Sequence, residues 1–459
     1  MENIFLSKQK VFDWQKRNEV FFAGYFYDET NNFYHSETAA EKLKDVKSLP
    51  GLKQFLNNTN GVYSIVLKKN KKIILATSHM RYFPLYYTKQ NGKWLISDCC
   101  DKLSEMTGKR EHSEISKLEF LKQGFVSHNR TLYKDIFNVQ SGELVILNED
   151  FESEFHYFHP TNNFYKNNAQ ILSGQLIEVI NNVGKRLVNS LKNKTAVVPL
   201  SGGYDSRLIV CMLKNAGLKD VICFTYGKNN PESEISKKVA KKLGYKWYFV
   251  DYTKIRDVEN IFNTNEFLDY SKYAANAVSM PFMQEYPAIK YLHDKKLIPP
   301  DSVIIPGHAG GFIAGSFLGY KIFRDQDFKG LDEKIFQANY SFAKISKSEK
   351  HIILNYINKQ ISDFIRKDKS VKPYTIFEGI TQMERMTKFI LNSSRVFDYF
   401  GYETRFPFWD YEIENFFRHI PYEHRVNKKL FKSVVENSYF KPAGIHFSKE
   451  LQAKPFDYF

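Results

Sequence analysis

Over roughly the first 150 residues, apolar positions come in short runs separated by turn-forming residues. The runs 20–26, 61–67, 72–77 and 93–97 are rich in Val, Ile, Phe and Tyr and are punctuated by Asn, Gly and Lys clusters. This pattern predicts β-strands. Residues 156–170 lose it and are Asn-rich, as a linker would be. The period then changes: Ile171, Leu172, Leu176, Ile177, Ile180, Val183, Leu187, Val188 and Leu191 recur at helical spacing. Apolar runs at 196–200, 221–227 and 246–250 follow, with a helical segment at 234–242 between the last two. Such alternation predicts an α/β domain with a doubly wound parallel sheet. Ligands on such sheets collect beyond the carboxyl ends of the strands, where Ser201, Thr225 and Gly307 fall. The remainder, to about 440, reads as helical. The expected division is therefore a first domain over 1–155 and a second over 165–459.

Composition narrows the class. The 459 residues, 43% apolar and 25% charged, describe a soluble globular chain with room for two or three domains. A net charge of +15 suits anionic small molecules. Many lysines sit in scattered pairs such as Lys68-Lys69, Lys237-Lys238 and Lys241-Lys242, as on solvated faces, so nucleic acid is not an expected partner. Residues 302–320 contain no Asp, Glu, Lys or Arg, and Gly307, Gly311, Gly315 and Gly319 recur every fourth residue. Pro306, His308 and the glycine density argue for a buried strand entering a glycine-rich turn rather than a membrane span. Cys99, Cys100, Cys211 and Cys223 have no metal-ligand spacing, and reduced thiols in a cytoplasmic setting are expected. The start of the chain lacks the basic and apolar regions of a secretion signal.

The segment with the most chemistry is Leu200-Ser201-Gly202-Gly203-Tyr204-Asp205-Ser206-Arg207, between a strand and a helix. Consecutive glycines permit positive φ and close approach to an anion, and the helix start supplies backbone N–H donors. Ser201 and Ser206 add hydroxyls, and Asp205 fits a magnesium ion shared with phosphates. A Gly-Gly hairpin or a capped helix start accounts for the glycines but not for the whole set. Arg207, in the first helical turn, is disfavoured by the helix field, so a phosphate or carboxylate partner is expected for it.

This loop resembles the pyrophosphate loop of the ATP-pyrophosphatase superfamily, and most of the chain is similar to asparagine synthetase and its relatives. The resemblance implies a fold: an N-terminal Ntn-hydrolase-like αββα glutaminase domain, then an ATP-pyrophosphatase domain with a helical C-terminal part. Residues 81–87, 131–136 and 141–144 resemble strands of that glutaminase domain. The family's glutaminase nucleophile is a cysteine directly after Met1, where this sequence has Glu2, so a degenerate domain without glutamine hydrolysis is expected. Pro306-Gly307-His308-Ala309-Gly310-Gly311 resembles the second family motif. There His308 takes the general-base slot. Gly311 replaces an Asp that helps hold magnesium. Glu403-Thr404-Arg405-Phe406-Pro407-Phe408-Trp409-Asp410 resembles a third motif and reads as a structural clamp. Lys454, with Lys449 as competitor, resembles the C-terminal lysine that stabilises the adenylate and pyrophosphate.

The resemblance implies an AMP-forming, ATP- and Mg2+-dependent C–N ligase that binds the nucleotide at residues 200–207, Thr225, Pro306 and Gly307. Its partners would be a small-molecule carboxylate and an amine or ammonia donor, with a homodimer or a partner glutaminase as further expectations and no membrane. Relatives lacking the glutaminase cysteine act in surface-polysaccharide or specialised-metabolite biosynthesis. The alternatives are a non-catalytic nucleotide-binding protein, suggested by Gly311, and a tRNA-modifying ATP pyrophosphatase, suggested by charge and opposed by the cysteine spacing.

Overall fold

In the strand Val20–Tyr27 (β1) and its antiparallel neighbours Asn60–Lys69 (β2) and Lys72–Thr77 (β3), successive side chains face opposite ways. Ile65, Leu67, Ile74 and Ala76 pack against Ala39 and Leu43 of helix Ser36–Leu43 (α1) and Leu52 and Leu56 of helix Leu49–Asn58 (α2). Val66, Ile73 and Leu75 point the other way, onto Leu85, Tyr87 and Ile96 of a second sheet. That sheet contains the hairpin Tyr86–Gln90 (β4) and Lys93–Ser97 (β5). Its two turn residues, Asn91 and Gly92, have φ of 49° and 74°, the left-handed pair that a tight hairpin requires. On the far face, Tyr86 meets Cys100 and Leu103 of helix Cys100–Thr107 (α3). Helix, sheet, sheet and helix are thus stacked in the αββα order.

The computed structural model describes residues 3–46, 48–69, 72–149, 151–156, 163–255 and 258–447. They fall into two units made of interleaved stretches of chain. Met1–Asn162, Ser271–Pro281 and Lys321–Ser393 make the first; Asn163–Tyr270, Phe282–Tyr320 and Ser394–Phe459 make the second.

The second unit begins with helix Ala169–Leu191 (α4), N-capped by Asn168, whose side chain accepts from the N–H groups of Gln170 and Ile171. Five parallel strands follow: Ala196–Pro199 (β6), Val221–Gly227 (β7), Lys246–Asp251 (β8), Val303–Ile304 (β9) and Glu403–Thr404 (β10). Their spatial order is β8-β7-β6-β9-β10, so β6 is central and pairs with both β7 and β9. The chain adds strands on one side of β6, then returns and adds them on the other. The cleft beyond β6 and β9 is the topological switch point of a doubly wound sheet.

Helix Tyr204–Asn215 (α5) follows β6, and helix Pro231–Leu243 (α6) follows β7. α6 starts three residues before the segment read from the sequence, because Asn230 and Ser233 form a capping box and Pro231 occupies the first turn.

The third motif is a clamp beneath the sheet. Arg405, 2% exposed, donates to Glu403 at 2.8 Å, and Lys194 reaches the same carboxylate at 2.8 Å. Asp410 caps helix Tyr411–Arg418 (α7) and takes two hydrogen bonds from Arg186, at 2.9 and 2.8 Å. Among the described residues, no helix is long and apolar enough to cross a membrane.

Candidate functional site

The turn after β6 is held by its own side chains. Leu200 N–H continues the strand pairing to Phe224, and the Thr225 hydroxyl donates to the Leu200 carbonyl at 2.7 Å. Ser201 N–H donates to Ser206 Oγ at 2.9 Å, and Gly203 N–H to Ser201 Oγ at 3.1 Å. Gly203 is the N-cap of α5 and supplies no side-chain acceptor to its first turn.

The glycines serve approach, not left-handed geometry. Gly203 has φ of −71°, and Gly202 is not among the positive-φ residues, which corrects the expectation from sequence. A Cβ on Gly202 would lie 2.9 Å from Glu232 Cγ, one on Gly307 3.2 Å from Ser206 N, and one on Gly310 2.8 Å from Asp205 Cγ. Two glycine turns, after β6 and β9, therefore close on each other at the switch point.

Between them lies a cavity of about 360 Å³. Leu200, Ser201, Gly202, Gly203, Tyr204, Asp205, Ser206, Thr225, Pro306, Gly307 and His308 all line it, so nearly the whole set expected from sequence is brought together. Arg207 is the exception. It is fully buried away from the cavity, donating to the carbonyls of Gly203 and Ile445 and lying 4.5 Å from the Phe440 ring centroid. Carbonyls and aromatic faces are among the groups that meet its charge. Lys454 and Lys449 lie outside the described residues.

Three charged groups of the cavity were not foreseen as a set. Lys428 lines it and lowers the pKa of Asp205 through its charge, yet in the sequence Lys428-Lys429 looks like any of the solvated lysine pairs. Glu232 accepts hydrogen bonds from Gly202 N–H and the Ser201 hydroxyl, and burial raises its pKa. Glu285 is 5% exposed, and burial pushes it up to about 7.

Asp205 is raised to about 6, first by burial, against the Gly311 N–H bond and the Lys428 charge that pull it down. His308 is held down at about 4 by burial, and its Nδ1 lies 3.4 Å from the Ser394 hydroxyl. At neutral pH its imidazole is uncharged, with a ring nitrogen able to accept a proton.

The order of motifs along the chain agrees with this geometry. Residues 189–439, more than half of the chain, match the asparagine synthase family model. The chain belongs to the asparagine synthase family. Residues 25–158 match the glutamine amidotransferase domain, the part that folds as αββα. Among curated proteins the chain is similar to the microcin J25-processing protein McjC of Escherichia coli, 25% identical over 346 residues. That match covers 73% of this chain and 62% of McjC, so the chain spans less than two thirds of that relative. Solved structures with partial likeness include an NH3-dependent NAD synthetase from Campylobacter jejuni, 16% identical with a TM-score of 0.24, covering 48% of this chain and 94% of that one. Another is a glutamine phosphoribosylpyrophosphate amidotransferase from B. subtilis, 11% identical with a TM-score of 0.22, covering 54% of this chain and 73% of that one.

Proposed function

We propose that the protein is an ATP-dependent ligase that joins a small-molecule carboxylate to an amine, activating the carboxylate as its acyl adenylate and releasing pyrophosphate. One observation carries the reading: a glycine-tight turn at the start of α5 faces a second glycine turn across the switch-point cavity, with Asp205, Lys428 and His308 on its walls. The N–H groups of the first turn of α5, to which Gly203 supplies no side-chain acceptor, and the serine hydroxyls would hold the phosphates, and Lys428 would offset their charge.

The donor set fits magnesium only in part. Asp205 and Glu232 place two carboxylates beside an anion-binding turn, an arrangement that repels phosphate unless cations stand between them. A magnesium ion would be held by Asp205, with phosphate oxygens and water completing its shell, and would polarise the phosphate. His308, neutral above about pH 4, would accept the proton of the attacking amine.

Glutamine is not the expected nitrogen source. Burial raises the pKa of Cys99, Cys100, Cys211 and Cys223, which leaves this chain without a ready thiolate nucleophile. Ammonia, an amine substrate or a partner glutaminase would supply the nitrogen, in a cytoplasmic setting. Similarity to a microcin-processing protein favours a substrate from specialised-metabolite biosynthesis.

Gly311 favours a second reading, a nucleotide-binding protein without turnover, because it removes one carboxylate from the metal site. Carboxylate-dependent ATP–pyrophosphate exchange in the presence of magnesium tests both. Exchange supports the ligase, and nucleotide binding without exchange supports the second reading.

A further inference from the structure

We propose that Glu285 selects adenine by accepting a hydrogen bond from its 6-amino group. The inference rests on the nucleotide-binding reading above and deepens it by naming the base-reading residue.

Glu285 is the N-cap of the helix Tyr286–Asp294, but its side chain makes no capping bond. The carboxyl instead lies on the cavity wall, 5% exposed and hydrogen-bonded by Tyr226. Its Oε2 is buried and has no hydrogen-bond partner among the described residues. A buried carboxylate oxygen left unmet is costly, and a ligand donor removes the cost.

Position identifies the ligand. The phosphate turn follows the central strand β6. His308 stands to one side of it, after β9, where the acyl chemistry is placed. Glu285 stands to the other, with Tyr226 of β7. That end is left for the nucleoside. It is flat and aromatic: Phe224 and Tyr226 line it, and Tyr226 stacks on Tyr252 at 5.7 Å and 19°. Above its raised pKa of about 7 the Glu285 carboxyl is ionised and can only accept. Adenine presents an amino group at position 6, whereas hypoxanthine and guanine present a carbonyl oxygen there, whose lone pairs would face those of Glu285.

The test is binding of ATP, ITP, GTP and 2′- and 3′-deoxyATP to the full chain with magnesium at about pH 8.5, where Glu285 is ionised, measured by calorimetry. The wild type should bind ATP about ten-fold or more tighter than ITP, with the deoxy analogues close to ATP. Glu285→Gln, whose amide both donates and accepts, should reduce the ATP-to-ITP ratio about five-fold or more while circular dichroism shows an unchanged fold. Equal wild-type affinity for ATP and ITP overturns the proposal and needs no variant. So does an unchanged ratio in folded Glu285→Gln, or a penalty that falls on the deoxy analogues, which assigns the carboxylate to ribose. Each of those results leaves the ligase reading standing, whereas binding of no nucleotide at all removes both.

Discussion

The backbone N–H of Gly311 donates to Asp205 Oδ2 at 2.7 Å, where the family motif has an aspartate. A Cβ at 311 would lie 3.6 Å from that oxygen and 3.9 Å from Lys428 Nζ, both ordinary contacts. Gly311→Asp should therefore fold and bring a second carboxylate to Asp205. With magnesium the pair chelates; without it the like charges repel. The magnesium concentration for half-maximal pyrophosphate exchange should fall about ten-fold, and melting in EDTA should show a loss of about 1 kcal/mol.

Asp205 gives a pH dependence of definite sign. Its folded pKa, about 6, exceeds the model-compound value of 3.8, so the folded state holds its proton more tightly. Its contribution to stability is fully present below about pH 4 and is lost as pH rises through 6. Asp205→Asn should melt higher than wild type at pH 8 by about 1–3 kcal/mol, converge with it at pH 4, and lose exchange activity. A variant less stable at pH 8 would contradict this.

The sheet, the turn after β6 and the second glycine turn were legible because each is local: an apolar run, then glycines, then a helix start. The short strands of the first domain were legible as apolar runs, and their αββα layering was what the family resemblance implied. The interleaving of residues 321–393 with the first unit was not legible, since pairing across hundreds of residues leaves no local pattern. Lys428 and Glu285 were hidden for a similar reason. Each is an ordinary polar residue in sequence and becomes part of the site only through β6 and its neighbours. The burial of Arg207 away from the cavity was not legible, because Phe440, Ile445 and Phe447, which meet its guanidinium, lie more than 230 residues further along the chain.

Among the residues that line the cavity Lys428 is the one lysine or arginine, so Lys428→Met should discriminate among nucleotides. Loss of a charge-assisted contact weakens ATP binding by about 10–100-fold. AMP, which lacks the outer phosphates, should bind nearly as before. Calorimetry with the two nucleotides checks the difference, and equal losses for both would place Lys428 elsewhere.

The Arg186–Asp410 pair predicts a purely structural loss. Arg186 is 7% exposed, and Asp410 supplies both its bidentate acceptor and the α7 cap. Asp410→Ala keeps the Glu412 carboxylate on Arg186 but removes the bidentate acceptor and the cap, and should cost about 2–4 kcal/mol in denaturant unfolding. The affinity of the folded fraction for ATP should not change.

His308 acts opposite to Asp205. Its pKa is depressed to about 4, so the unfolded chain binds its proton first as pH falls, and stability is lost between about 6.5 and 4. Over the same range Asp205 adds stability, and in the wild type the two partly cancel. Single variants separate them: His308→Gln should be less acid-sensitive than wild type between pH 6.5 and 4, and Asp205→Asn more so. An imidazole proton titration in the folded protein should show His308 still neutral at pH 5. A midpoint near 6.5 would mean that water reaches the ring freely and that burial does not hold His308 neutral.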